Sequence, residues 1–422
     1  MISLKTADHP LWLCGFRPFF LAAAFSLILL IPLWLFFLGA PFGLALPLPQ
    51  VPGGATIWHA HELLFGFVLA ALAGFVLTAV PEFTLAPPVP PAQVRLLAGL
   101  WLLGRLGFWC AGLLGKPALA IAGLAHLGLV AGLLVLLAPR IWHAPARRHL
   151  SFIWAMLGLI LCIGGFYLDA LRDGDVARWL HAMVGLMMIF IVLALSRISM
   201  RIVNQAIDEW RERHPAAADA DADAEPTEYR ARPPKRNLAI SCIAAYTVAE
   251  FFLPESRLSG WLALAAAAAL LHLHSDWHIG RALLRRWPLM LFGVYVLMAA
   301  GYALIGIALV SGGDGFSAGR HMLTIGAMGL AIYCVFNIAG RIHCGHPMDE
   351  RPWVPVGAAL LVLAAGLRAA EILPDANVLG LYQLAAFALV LPYAVWLWRM
   401  WPLLTRPRQD GLGGCDDYVE KT

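Results

Sequence analysis

The sequence predicts an all-α integral membrane protein with about twelve transmembrane helices. Three observations predict this class. Of the 422 residues, 61% are hydrophobic and 13% charged, and the mean hydropathy is +0.75, a balance that no ordinary soluble domain of this length tolerates. Apolar stretches long enough to cross about 30 Å of hydrocarbon recur along the whole chain. Lys and Arg gather between these stretches instead of lining one face, so the net charge of +4 reads as an orientation signal and not as a nucleic-acid footprint.

Windows of roughly 19 residues place spans at 19–39, 58–81, 94–114, 118–138, 150–170, 178–198, 237–254, 258–278, 288–310, 320–340, 353–373 and 378–401. With a cytoplasmic N-terminus, roughly 23 Lys and Arg face the cytoplasm and about 6 the periplasm, the asymmetry of an inner-membrane protein with both termini inside. The chain therefore reads as helices one to six over 1–198, a cytoplasmic linker over 199–236, helices seven to twelve over 237–401 and a cytoplasmic tail over 402–422. In the linker, an acidic run from Pro215 to Pro226 precedes Arg230, Arg232, Lys235 and Arg236, and follows an amphipathic extension of span six. The Pro-rich run Ala86 to Pro91 reads as a turn, and the tail from Arg406 as disordered. The N-terminus reads as uncleaved, because Arg17-Pro18 leads directly into a full-length span. Seven scattered cysteines, with no CxxC or CxxCH, give no disulfide framework and no covalent haem attachment, so a bound haem would be of the non-covalent b type.

The histidines carry the functional signal. Spans two, six and ten run in the same direction, and each begins with histidine: His59 and His61, His181, and His321. All would lie at similar depth near the periplasmic face. His61 and His321 each precede a glycine by five residues, Gly66 and Gly326, while His181 precedes Gly185 by four, a loose repeat every four helices. Imidazole is a common axial ligand of haem iron and a good copper ligand, and a helical bundle can aim several at one point. Interfacial histidines also sit at headgroup level for no chemical reason, as Trp58 and Trp179 beside them can. His59 and His61 point about 200° apart on a regular helix and cannot share a metal. Glu62 shares a face with His59, three residues away, and is expected to orient that imidazole or to favour the helix dipole.

Further ionisable groups lie at membrane depth, where they are functional or paired. His126 lies in span four, Arg105 in mid-span three, Glu250 near the periplasmic end of span seven, and Arg368 and Glu371 one turn apart at the end of span eleven. Arg105 or Arg368 could neutralise haem propionates, Glu250 could relay protons or ligate metal, and Arg368 with Glu371 reads as a local ion pair. His126, with whichever of His59 and His61 is not on iron, is the expected companion of His181 on copper. The run His343-Cys344-Gly345-His346 has a metal-like composition without a second cluster at zinc-finger spacing.

The runs Gly15-Phe16-Arg17-Pro18-Phe19-Phe20 and Trp58-His59-Ala60-His61-Glu62-Leu63-Leu64-Phe65-Gly66-Phe67 resemble the NnrS family. So do Gly74-Phe75 through Thr78-Ala79-Val80-Pro81, and His321 to Gly326 followed by Arg341 and Gly345-His346. The resemblance implies a bacterial inner-membrane protein that contains haem and copper and belongs to nitric oxide metabolism or defence. The layout is also similar to subunit one of the haem–copper oxidases, whose twelve helices form three four-helix arcs with histidine ligands on helices two, six and ten. Span ten here has one histidine, span seven lacks a His-His pair, and Gly185 follows His181 by four residues where oxygen-reducing members often have Tyr. These departures count against oxygen reduction with proton pumping, while Glu250 is compatible with a nitric-oxide-reductase-like site. Six spans, a long central loop and six more spans also describe a secondary transporter, although the short loop from Glu82 to Gln93 carries no Gly- and Arg-rich motif. A non-catalytic sensor or partner subunit is the third class.

Overall fold

The computed structural model describes residues 9–39, 49–144, 149–214, 228–412 and 415, so the acidic run from Pro215 to Pro226 lies outside the described residues. The protein is 82% helical, with no strand among the described residues. Its long helices are α1 (Phe16–Phe37), α2 (Gly54–Thr84), α3 (Pro91–Trp109), α4 (Lys116–His143), α5 (Leu150–Leu171) and α6 (Ala177–Arg213). They continue as α7 (Pro233–Phe252), α8 (Arg257–Leu273), α9 (Arg286–Ser311), α10 (Phe316–Ile342), α11 (Trp353–Ala369) and α12 (Val378–Thr405). Each coincides with one expected span, and α6 contains the expected extension beyond the membrane. Among the described residues, ten helices are long and apolar enough to cross a membrane, which makes this a multi-pass membrane protein. The other two, α3 and α7, have 19 and 20 residues, and their charged residues (Arg95 and Arg105; Lys235, Arg236 and Glu250) lower their apolarity.

Local chemistry sets the helix ends. Proline, which fits the first turn because its missing N–H needs no partner, opens α3 and α7. Ser256 caps α8 by accepting from the Ser259 amide at 3.1 Å. Gly312, at φ +72°, stops α9 in the left-handed region.

The chain divides into two compact units. Unit 1 comprises Met1–Met183, Val335–Val354 and Val390–Thr422, and unit 2 comprises Val184–Cys334 and Pro355–Leu389. In unit 1, α1 packs closely on α2. A Cβ at Gly15 would lie 2.4 Å from the Leu77 Cβ, and one at Gly74 would lie 2.8 Å from the Phe20 ring, so two of the family-like runs are one packing seam.

Two expectations are corrected in unit 1. Cys14 and Cys415 form a disulfide across 401 positions of sequence. No spacing rule reaches that far, because the partners flank the first and last helices. The tail beyond Arg406 is also packed where it is described: Arg17 Nη1 donates to the Leu404 and Arg406 carbonyls at 3.3 and 3.0 Å, and Arg408 Nη1 to the His343 carbonyl at 3.1 Å. Buried guanidinium groups need acceptors: the end of the chain gives two to Arg17, and its own Arg408 finds one on His343.

Candidate functional site

The histidine and glycine spacing has a backbone counterpart in two of its three spans, while α6 is regular α-helix from His181 through Gly185. In α2, seven residues directly after His61, Glu62–Val68, wind as π-helix, and in α10 seven residues directly after His321, Met322–Met328, do the same. Such bulges break the hydrogen-bond ladder and recur at functional sites. Trp101 of α3 answers the disturbance in α2 by donating Nε1–H to the carbonyls of Phe65 and Gly66 at 3.1 and 3.2 Å.

Unit 1 gathers a buried polar chain around the first bulge. His61, Glu62 and His126 are 0% exposed. Glu62 is paired with Arg105 and accepts from Trp109 Nε1 at 2.6 Å. Facing that guanidinium it is a carboxylate, so His61 Nδ1 donates to Glu62 Oε1 at 3.0 Å. The lone pair of His61 is thereby placed on Nε2, which accepts from the Tyr167 hydroxyl at 2.9 Å. The same hydroxyl oxygen accepts from His126 Nδ1 at 2.8 Å, which leaves the His126 lone pair on Nε2, buried and without a hydrogen-bond partner. The imidazole that Glu62 orients is therefore His61, in place of the expected His59.

Packing encloses this chain on all sides. The His61 ring is clamped between Phe65 and Phe108, with centroids 4.2 and 3.5 Å away. Three glycines seat its members: a Cβ would lie 2.0 Å from Arg105 Nη1 at Gly66, 2.5 Å from His126 Nε2 at Gly104, and 2.9 Å from the Tyr167 ring at Gly123. Arg105 also donates Nη1–H to Ser26 Oγ at 3.1 Å. His59 lies apart from this chain, half-buried and stacked on Trp34 at 4.4 Å. His181 is half-buried on α6 and takes no part in the chain from Glu62 to His126.

Unit 2 arranges its histidine differently. His321 Nδ1 donates to the Ser317 carbonyl at 2.8 Å, which leaves the lone pair on Nε2. Glu250 is paired with Arg320, the residue before His321. The expected Arg368–Glu371 ion pair forms, with Tyr382 donating to Glu371 at 2.6 Å and its ring under Arg368 at 4.0 Å. Arg368 also reaches Ser317 Oγ at 3.4 Å.

Among the described residues, no three His, Cys, Asp or Glu side chains come together as a ready metal cage. His343 instead donates Nδ1–H to the Cys415 carbonyl at 3.0 Å, and Cys344 bonds the Leu403 carbonyl at 3.4 Å. The convergent donors are two imidazoles and one phenol. Tyr167, Trp109 and Ser26 were not legible as site residues; Tyr167 is one of nine tyrosines and stands 106 positions from His61.

These features define a multi-pass, all-α membrane protein with a histidine-centred polar network enclosed in its first unit. Residues 10–408 match the family described as NnrS protein, and the chain belongs to that family. Membership fits a membrane protein related to nitric oxide. No curated protein and no solved structure matches the chain.

Proposed function

We propose that this protein binds haem and copper in the bacterial inner membrane and acts on nitric oxide, by binding it, reducing it or keeping it from cellular iron. The observation that carries the reading is the buried His61–Tyr167–His126 junction, held by Glu62 and ending on the unpartnered Nε2 of His126. A carboxylate on one imidazole nitrogen, with the other nitrogen directed inward, is the usual outer support of a metal ligand. His61 and His126 fit copper, and His181 is a further copper candidate. His321 fits haem iron, since its Nδ1–H is fixed on a backbone carbonyl and its Nε2 is an acceptor. Within unit 2, Arg368 is the cation offered to a haem propionate; within unit 1, His59 is a separate iron candidate, and Arg105 is held by Glu62.

Bound there, haem iron would supply a site for a diatomic ligand and copper a second redox centre. The protein's own groups do the rest. Glu62 fixes the tautomer of His61, Arg105 balances the charge of Glu62, and Phe65 with Phe108 keeps water from the ring. Glu250, paired with Arg320, is the candidate carboxylate of unit 2 for proton exchange with a reductase-like site.

Protein purified without oxygen is expected to show a Soret band and to contain iron and copper. His321→Ala should lose haem, whereas His61→Ala with His126→Ala should lose copper and keep haem. A stable, colourless, metal-free protein overturns the proposal and favours a twelve-helix secondary transporter. The proposed orientation puts Gly53 and Gly313 on the periplasmic side, and labelling of Gly53→Cys from the cytoplasm alone would overturn it.

A further inference from the structure

The Tyr167 oxygen stands 2.9 Å from His61 Nε2 and 2.8 Å from His126 Nδ1. Metal–nitrogen and metal–oxygen bonds of about 2.0 Å at right angles place neighbouring donor atoms about 2.8 Å apart. The phenol oxygen is therefore already spaced from each imidazole nitrogen as one ligand atom is from its neighbour. We propose that Tyr167 is a copper ligand, its phenolate oxygen completing a two-nitrogen, one-oxygen donor set with His61 and His126. This rests on the copper reading above and names a ligand that the histidine pattern does not contain.

Two further features favour a ligand over a spacer between two rings. The first is the seating of all three donors. Gly104 makes room for His126, Gly123 for the Tyr167 ring, and the Phe65–Phe108 clamp fixes His61, so none can swing away. Pre-set donors of this kind are what a metal site needs and what a simple buried hydrogen bond does not. The second is that the junction is incompletely satisfied as a polar network: both His126 Nε2 and Arg105 Nε are buried without a hydrogen-bond partner. A network retained only for its hydrogen bonds should not leave such groups bare. On binding, the copper–oxygen bond replaces the O–H bond and the phenolic proton leaves to buffer, while the His126 proton passes from Nδ1 to the bare Nε2, so that the Nδ1 lone pair is free for the metal.

The test uses the full-length protein, oxidised so that copper is Cu(II), prepared with ordinary and with ring-deuterated tyrosine. Resonance Raman spectra are expected to show phenolate ring bands that shift with the label, while haem bands stay in place. Tyr167→Phe should lower copper occupancy by at least about tenfold and abolish the label-sensitive bands, with the Soret band retained. Full copper occupancy in the wild type without label-sensitive bands overturns Tyr167 as a ligand and leaves the copper reading standing. A wild type that contains no copper overturns both. Should Tyr167→Phe fail to fold, the wild-type spectra alone decide. His181→Ala is the comparison: if it removes copper while the phenolate bands persist in residual copper-loaded protein, His181 joins Tyr167 in the set.

Discussion

α2 in unit 1 and α10 in unit 2 share a backbone device, a histidine followed at once by a seven-residue π-helical segment, and use it for different chemistry. After His61 comes Glu62, which draws the imidazole into a closed chain where both ring nitrogens are engaged. After His321 comes Met322, which offers no anchor, so Nδ1 falls back on the Ser317 carbonyl and Nε2 stays available. The glycine five residues on differs in the same sense: Gly66 lies beneath a buried guanidinium, whereas the nearest side chains to Gly326 are the apolar Ala365 and Leu297. One residue beside the histidine separates an enclosed polar network from an available ligand on an otherwise repeated backbone.

The largest expected effect comes from opening the enclosed network. Arg105→Leu leaves the fully buried Glu62 carboxylate without its cation, and removal of one partner of a buried pair costs about 3–5 kcal/mol. Arg320→Leu in unit 2 takes the cation from Glu250, but that carboxylate keeps a further partner and lies near the end of its helix; roughly half that cost is expected. Thermal unfolding of both variants in detergent measures the contrast, and equal losses would break it. Next in size is the glycine pair. Gly66→Ala forces the paired Arg105 group to move and should cost about 1–3 kcal/mol, while Gly326→Ala needs a shift of a few tenths of an ångström and should cost under about 1 kcal/mol. A larger loss at Gly326 would show that the second bulge is the more tightly packed.

Lipid made most of the fold legible. A segment that must satisfy its own backbone in hydrocarbon has to be a helix, and its length follows from membrane thickness, so the long helices among the described residues stand at the expected spans, although α3 and α7 are less apolar than the other ten. The site was legible only in its metal-like parts. His61, Glu62, Arg105 and His126 announce themselves as polar groups at membrane depth, yet their partnership does not, because it depends on which helices pack together. Regular helix geometry joins Glu62 to His59, whereas Glu62 begins a π-helical segment and bonds its neighbour His61. Tyr167 carries no charge or motif, and the Cys14–Cys415 link joins residues near opposite ends of the chain. Such pairings are tertiary facts that local sequence pattern does not contain.

The smallest expected effect separates the enclosed interior of unit 1 from its titratable end. Asp410 accepts from Arg408 Nε at 2.9 Å, and that bond with the guanidinium charge holds its carboxyl at about 2. Burial alone would raise Asp349, but bonds from Arg351 and the charge of Arg341 outweigh it and hold this carboxyl at about 2 as well. Both folded values lie below the ordinary aspartate value of about 3.9. Each group therefore binds more protons in the released state than in the docked one over that interval. Their contribution is complete above about pH 4 and is lost as pH falls towards 2. Docking of the segment around Arg408 and Asp410 should be constant from pH 5 to 8 and loosen only in acid, since Arg408 also holds the His343 carbonyl. Asp410→Asn should remove part of that acid response at a cost of about 1 kcal/mol or less at neutral pH. Proteolysis of the tail in reduced protein, followed across that range, reads it directly; release that begins near pH 6 would mean that a histidine, and neither aspartate, holds the segment.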